Sequence, residues 1–367
     1  MTNKFSIFLF GLLLATTFSC SSDDDNTTSG PINIIIEGAA IEPQVGGPNE
    51  QNQVYIDLST NTSTNVQRDT WDLGFYSGSE FRVAINGSIY MATAELTTFD
   101  IDAVNSSSAE VQALQPQVAV GTFNPDSMAF IDAPYGNING TAIDAISDTD
   151  VENPVYLLNL GSEVGTTTPA NGTVAVEGDA RGWMKIRVLK SGNDYVLQYA
   201  DLDATTHQEV TISKNPSYNF TFFSFNTESE VNVEPIKTQW DLNFTVFTNE
   251  VFAGPDSYGA YGFTDFVVNN SKANAQAYMI DTEVETDLTY NNFTLGDVID
   301  SNFSNDQRSI GSSWRNGGGP SSEPSLKTTV FYVVNDTDGN LYKLKFLALT
   351  NESGERGHPE FAYSLLQ

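Results

Sequence analysis

Apolar and polar positions alternate along most of this chain with the period of a strand rather than that of a helix. The two clearest cases begin at tryptophans. One run has Trp71, Leu73 and Phe75 as its apolar positions; the other has Trp240, Leu242, Phe244 and Val246, with Asp, Gly, Asn and Thr between them. Such alternation places the apolar side chains on one face of a half-buried strand. Both runs open on Trp-Asp-Leu and lie roughly 170 residues apart, the length of one domain, so the chain is expected to carry two tandem copies of one β unit.

The remaining pattern supports this order. In the first copy, strands are expected at Val54 to Leu58, Phe81 to Ile85 and Ile89 to Glu95, after an edge strand at Ile32 to Ile36. Residues 100–150 carry a short helix signal at Ser107 to Leu114 and otherwise Gly, Asn, Pro and Asp, an irregular middle of the kind that often holds a ligand. Met184 to Val188 turns at Ser191 to Asp194 and returns as Tyr195 to Tyr199, a hairpin, and Val210 to Ser213 closes the copy. Lys214-Asn215-Pro216 marks the boundary, giving expected domains of 31–214 and 215–367.

In the second copy, Tyr218 to Phe225 corresponds to Val54 to Leu58, and a Gly/Tyr-rich loop at Gly254 to Gly262 precedes a strand at Phe263 to Val268. Residues 272–325 form the second irregular middle. Val330 to Val334 and Leu341 to Leu349 repeat the hairpin, and Phe361 to Leu366 ends the chain. Composition agrees: 23 Phe and 15 Tyr, with only 17% charged residues to make helix faces and 28 Gly plus 14 Pro as punctuation, point to an all-β protein of twisted, mostly antiparallel sheet.

The amino terminus changes the picture of where the protein works. Lys4, the apolar stretch Phe5 to Thr16 and Ser19-Cys20 read as a lipoprotein signal peptide over residues 1–20, with Cys20 as the lipid-attachment site. Residues 21–30, opening on Ser-Ser-Asp-Asp-Asp, read as an acidic flexible tether. The expected location is the outer membrane, lipid-anchored and facing outward. Cys20 is the single cysteine, so no disulfide forms within the chain.

A formal net charge of −31 with 16 Lys and Arg argues against nucleic acid as a partner. No Gly-rich phosphate loop sits between a strand and a helix, and a Ser-His-Asp triad would have to use His207 or His358, the two histidines, both expected in turns. No enzymatic activity is expected. Asn335 to Gly339 has the flavour of a calcium loop but lacks the distant bidentate Glu, and a hairpin turn accounts for it.

The second half resembles the HmuY-type haem-binding lipoprotein family. The resemblance is carried by Tyr218 to Phe225 with Val231-Asn232-Val233, by Trp240-Asp241-Leu242-Asn243-Phe244, and by Asp338 to Phe346 leading into the last aromatic strand. The first half is similar through Trp71 to Phe75 and Tyr195 to Tyr199. The resemblance implies two HmuY-like domains, capture of haem or a related porphyrin for iron acquisition, haemoproteins and an outer-membrane haem receptor as partners, and iron held by two side chains, His or Met, from the irregular middles. His207 and His358 fall outside those segments. Met91 and Met184 lie in alternating strands, where core packing explains them, which leaves Met128 and Met279 as haem-ligand candidates. The alternative is a surface adhesion or glycan-binding module without haem, in which Tyr258, Tyr261 and Trp314 would stack on sugar rings.

Overall fold

The computed structural model describes residues 37–318 and 322–367. The expected signal with Cys20, the tether and the strand at Ile32 to Ile36 lie outside the described residues, which belong to one compact unit.

The first copy contributes β1 (Gly38–Ile41), β2 (Asn52–Asp57), β3 (Thr62–Gln67), β4 (Leu73–Tyr76), β5 (Val83–Ile85), β6 (Ala92–Glu95), the short helix α1 (Ala109–Leu114), β7 (Val155–Asn159), β8 (Ser162–Val164), β9 (Glu177–Ala180), β10 (Trp183–Ser191), β11 (Asp194–Asp201) and β12 (Gln208–Ile212). The second contributes β13 (Phe220–Ser224), β14 (Ser229–Val231), β15 (Leu242–Ala253), β16 (Asp256–Asn269), β17 (Gln276–Asp281), β18 (Arg315–Asn316), β19 (Ser325–Leu326), β20 (Val330–Asn335), β21 (Leu341–Thr350) and β22 (Arg356–Leu365). The fold is all-β. Two five-stranded sheets run β12-β11-β10-β7-β6 and β1-β22-β21-β20-β17, two four-stranded sheets run β14-β13-β4-β5 and β16-β15-β2-β3, and β8-β9 and β18-β19 form small ladders. Both expected hairpins form, Ser191 opposite Asp194 and Asn335 opposite Leu341.

The two copies exchange their first hairpins. β2, with β3, pairs with β15 of the second copy, and β13, with β14, pairs with β4 of the first. Each large core is therefore built from both sides of Lys214. Leu73, Phe75, Ile186 and Tyr195 pack with Phe223, while Leu242, Phe244, Tyr332 and Phe361 pack with Val54, Ile56 and Leu58. From Val54 to Asp57 every residue of β2 is buried, because one face meets the second core and the other meets a central cluster; a strand covered on both faces loses the polar half of its alternation.

Three expectations are corrected. Trp71 does not share the face of Leu73 and Phe75, nor Trp240 that of Leu242 and Phe244: each strand begins two residues later, and both indoles turn into the central cluster with Tyr55, Phe222 and Val233. The expected loop at Gly254 to Gly262 is largely strand, since the β15–β16 ladder runs out to Ala253 opposite Asp256, its length absorbed by two register shifts. His358 lies within β22 rather than in a turn. Among the described residues no helix is long and apolar enough to cross a membrane.

Candidate functional site

The exchange is held by bonds that occur twice. Asp72 accepts from the Phe225 N–H at 2.7 Å, and Asp241 accepts from the Leu58 N–H at 2.8 Å. Asn86 Nδ2 donates to the Arg68 and Trp71 carbonyls at 2.7 and 2.8 Å; Asn270 Nδ2 donates to the Lys237 and Trp240 carbonyls at 2.8 and 2.9 Å. These pairs make Tyr55 the counterpart of Phe222, and Gln53 that of Phe220. The rings follow the same rule, Phe222 meeting Trp71 edge-on at 4.8 Å and Tyr55 meeting Trp240 edge-on at 5.0 Å.

Between the two exchanged sheets lies a cavity of about 200 Å³, lined on one side by Gln53, Tyr55, Trp240 and Asn243 and on the other by Trp71, Phe220, Phe222 and Ile131 to Pro134. The equivalence of its two walls fails at several positions, and three of the failures leave buried polar atoms without a partner among the described residues; one is Asn269, which stands where the first copy has Ile85 and has both Nδ2 and Oδ1 unpaired. Trp71 Nε1 donates to Gln53 Oε1 at 2.9 Å. The residue matching Gln53 in the other copy is Phe220, which cannot accept, and Trp240 Nε1 is buried with no partner among the described residues. Opposite Phe222 stands Gly74, where an added Cβ would come within 3.3 Å of the Phe220 ring; opposite Tyr55 stands Asn243, whose Oδ1 is likewise buried without a partner among the described residues. Trp240 is 6% exposed and Asn243 7%, so neither atom is paired by bulk water.

The ionisable lining is displaced by burial. Asp132, which accepts from the Ile85 and Ala142 N–H groups at 2.9 and 2.8 Å, is raised to about 6 by desolvation. Glu234, which accepts from the Asn219 and Phe220 N–H groups at 2.6 and 2.9 Å, is raised to about 7 for the same reason. Burial lowers Lys272, and the charges of Glu234 and Asp132 oppose that shift. Ile131, Ala133, Pro134 and Thr141 also line a second, outer hollow of about 560 Å³, so the 131–141 segment of the irregular middle is the wall between the two.

The side chains expected to act as ligands do not converge. Met128 is half-buried in a turn of 3-10 helix and lines the outer hollow. Met279 is 43% exposed on β17, opposite Tyr332. His207 Nδ1 lies 2.9 Å from Asp102, and His358 lies between Glu42 and Glu355. The methionine that does line the central cavity is Met91, and it also packs in the first core, as Met184 does. Tyr258 and Tyr261 are exposed, the latter with its ring centroid 5.6 Å from that of Phe123. Trp314 is not available for stacking on a sugar: it is fully buried in the second core, 4.1 Å from the Phe346 ring. Among the described residues no group of three or more His, Cys, Asp or Glu is placed to hold a metal ion.

The sequence profile of the HmuY protein family matches the chain twice, over residues 49–213 and 216–363. Among solved structures, the chain is similar to an apo HmuY analog from Tannerella forsythia, with 10% identity, 91% of this chain and 98% of that chain covered, and a TM-score of 0.24. It is similar also to apo PinO from Porphyromonas gingivitis, with 10% identity, coverage of 90% and 98%, and a TM-score of 0.23. No curated protein matches.

Proposed function

Because the chain belongs to the HmuY family, and does so in both halves, we propose that it is a cell-surface lipoprotein that binds haem or a related porphyrin and serves iron acquisition. The observation that carries the site is the aromatic cavity where the two copies meet: the buried rings of Trp71, Tyr55, Phe222 and Trp240 offer faces and edges to a flat ligand. The cavity itself is smaller than the roughly 300–1,000 Å³ of sites for drug-sized ligands. A tetrapyrrole would occupy it together with the outer hollow once the shared 131–141 wall shifts.

As an iron site the described residues do not fit. Met128 and Met279 sit in different surroundings, and each histidine is already beside a carboxylate at the surface. The ring system, and not the metal, is then what the protein recognises. Lipid attachment through Cys20 would hold it at the outer membrane, with haemoproteins as haem sources and an outer-membrane receptor as recipient.

The test is titration of the purified protein with haem and, separately, with metal-free protoporphyrin. A saturable shift of the Soret band is expected for both, with affinities within about tenfold of each other because no axial pair favours the iron form. No spectral change at micromolar porphyrin overturns the proposal. A strong preference for haem that disappears in Met128→Ala or Met279→Ala would instead assign that methionine to the iron. The glycan reading keeps one favourable observation, the exposed Phe123, Tyr258 and Tyr261 near the β15–β16 hairpin; binding of a neutral oligosaccharide lost in Tyr261→Ala would support it.

A further inference from the structure

The wall between the two hollows is built as a unit of its own. Within residues 133–140 the Ala133 N–H donates to the Gly140 carbonyl at 2.7 Å, the Gly136 N–H to the Ala133 carbonyl at 3.0 Å and the Gly140 N–H to the Asn137 carbonyl at 2.9 Å, so the loop closes on itself. Its neck is fixed to the first copy: Asp132 accepts from the Ile85 and Ala142 N–H groups, and the Thr141 hydroxyl donates to the Ile143 carbonyl at 2.7 Å. Its far side meets the second copy through three successive carbonyls. Gln307 Nε2 donates to that of Pro134 at 2.9 Å, the Gln307 N–H to that of Tyr135 at 3.2 Å and Lys272 Nζ to that of Gly136 at 3.4 Å; among the described residues these are the hydrogen bonds from the loop to the second copy. Gln307 is a firm post, since its own carbonyl accepts from the Asn269 N–H of β16 at 2.9 Å. Of residues 133–140 only Pro134 is buried, so little apolar packing adds to those three bonds.

We propose that residues 133–140 are a flap that hinges at Asp132 and Thr141, is latched by Gln307 and Lys272, and by swinging outward joins the central cavity to the outer hollow and admits a ligand. The inference deepens the porphyrin reading, on which the identity of the ligand rests, by naming what has to move and what holds it. The movement itself follows from the two hollows and the bonds between them. Ala133 and Pro134 line both hollows, so turning this stretch outward removes the partition. A loop that keeps its internal bonds and releases three carbonyls on one side loses little, because water can take the place of each donor once the loop is outside. The latch also accounts for Gly136. Its φ of +85° suits glycine, and an added Cβ there would fall 2.6 Å from Gln307 Cδ and drive the Gln307 side chain from its place.

The cavity indoles report opening without any ligand: Trp71 and Trp240 line the cavity at 8% and 6% exposure, whereas Trp314 is buried in the second core and Trp183 lies outside the lining. Acrylamide quenching of tryptophan fluorescence is measured on the purified protein carrying Cys20→Ser, which leaves no native thiol, and on the same protein with Gln307→Ala or with Gly136→Cys and Gln307→Cys together. The β-carbons of that pair lie within about 4.5 Å of each other, the span of a disulfide. The quenching constant should rise about twofold or more in Gln307→Ala, whose flap has lost one latch bond. In the oxidised cysteine pair it should fall below the parent value and return on reduction, a reversal that a merely destabilised variant would not give. Metal-free protoporphyrin should associate about tenfold or more slowly with the oxidised pair than with the reduced one. Quenching changed by neither Gln307→Ala nor oxidation of the pair, or protoporphyrin entering both forms at one rate, overturns the flap. Quenching that follows the disulfide while protoporphyrin binds no form upholds the flap and overturns the porphyrin reading.

Discussion

Asp72 and Asp241 hold the same place in the two exchanged strand pairs but live with different neighbours. Asp72 is paired with Arg181 at 2.7 Å, both side chains almost fully buried. Asp241 has no cation in contact among the described residues and is raised to about 7 by desolvation, while accepting from the Leu58 and Thr337 N–H groups. The same position is thus an ion pair in one copy and a carboxyl with a raised pKa and no cation beside it in the other.

Substitution should expose the difference. Asp72→Ala strands Arg181 in the interior and is expected to cost about 3–5 kcal/mol. Asp241→Asn keeps the shape and strands no buried cation, but its NH2 replaces one of the two oxygens that accept from the Leu58 and Thr337 N–H groups, so it is expected to cost about 1–3 kcal/mol, less than Asp72→Ala. Urea unfolding of the two variants measures both; equal costs would show that the two carboxylates are in the same charge state.

The hairpin exchange predicts that the halves cannot be separated at the boundary expected from the sequence. Residues 31–214 retain β2 and β3 without β15, and 215–367 retain β13 and β14 without β4, so each fragment leaves a hydrophobic hairpin with no sheet to join. Expressed alone, each should lack a cooperative thermal transition; mixed or co-expressed, they should associate and recover one. Two independent sharp melts from the separate fragments would show that each copy can take back its own hairpin.

Much of this architecture was legible because strand alternation is a local signal. The strands that follow the two Trp-Asp pairs, the two late hairpins and a short helix ending at Leu114 stand where the pattern put them, the helix beginning at Ala109 rather than Ser107. The exchange was not legible, because alternation says which face of β2 is apolar and is silent about whether β4 or β15 lies beside it. Trp71 and Trp240 were misplaced for a related reason: an indole just before a strand keeps the strand's period in sequence while the chain, fixed by the bonds of Asp72 and Asp241, is still turning. The signal for the site was present but faint. Setting the two copies side by side shows Gln53 against Phe220 and Gly74 against Asn243, yet only the geometry shows that these differences face one cavity. Met128 and Met279 drew notice by residue type, which carries no information on convergence.

Acid should stabilise this protein. Burial raises Asp132, Glu234 and Asp241 from their ordinary values of 3.8, 4.5 and 3.8 to about 6, 7 and 7. Between those limits the folded state binds more protons than the unfolded chain, so the stability these groups supply is fully present below about pH 4 and is lost as pH rises through about 6 to 7, at up to about 1.4 kcal/mol per pH unit for each group. Relief of the −31 net charge acts in the same direction. Thermal melts at pH 5 and pH 7.5 should give the higher midpoint at pH 5, and the gap should narrow in Glu234→Gln with Asp241→Asn. A midpoint that rises steadily from pH 5 to 7.5 would mean that these carboxyls are ionised and paired in solution.

The two tryptophans allow a matched comparison in which the lost volume is the same and the lost hydrogen bond is not. Trp71→Phe removes the donor to Gln53 Oε1 and leaves that acceptor buried, since Gln53 is 5% exposed. Trp240→Phe removes a donor that has no partner among the described residues. Both substitutions shrink a ring that meets an aromatic neighbour edge-on, so the packing losses should largely cancel in the difference. What remains is the cost of an unmade bond at Gln53 against relief of one at Trp240, which should make Trp71→Phe the more destabilising by about 1–3 kcal/mol. Chemical denaturation of the two variants in the same buffer gives the comparison directly. Equal losses would mean that Trp240 Nε1 already has a partner in solution.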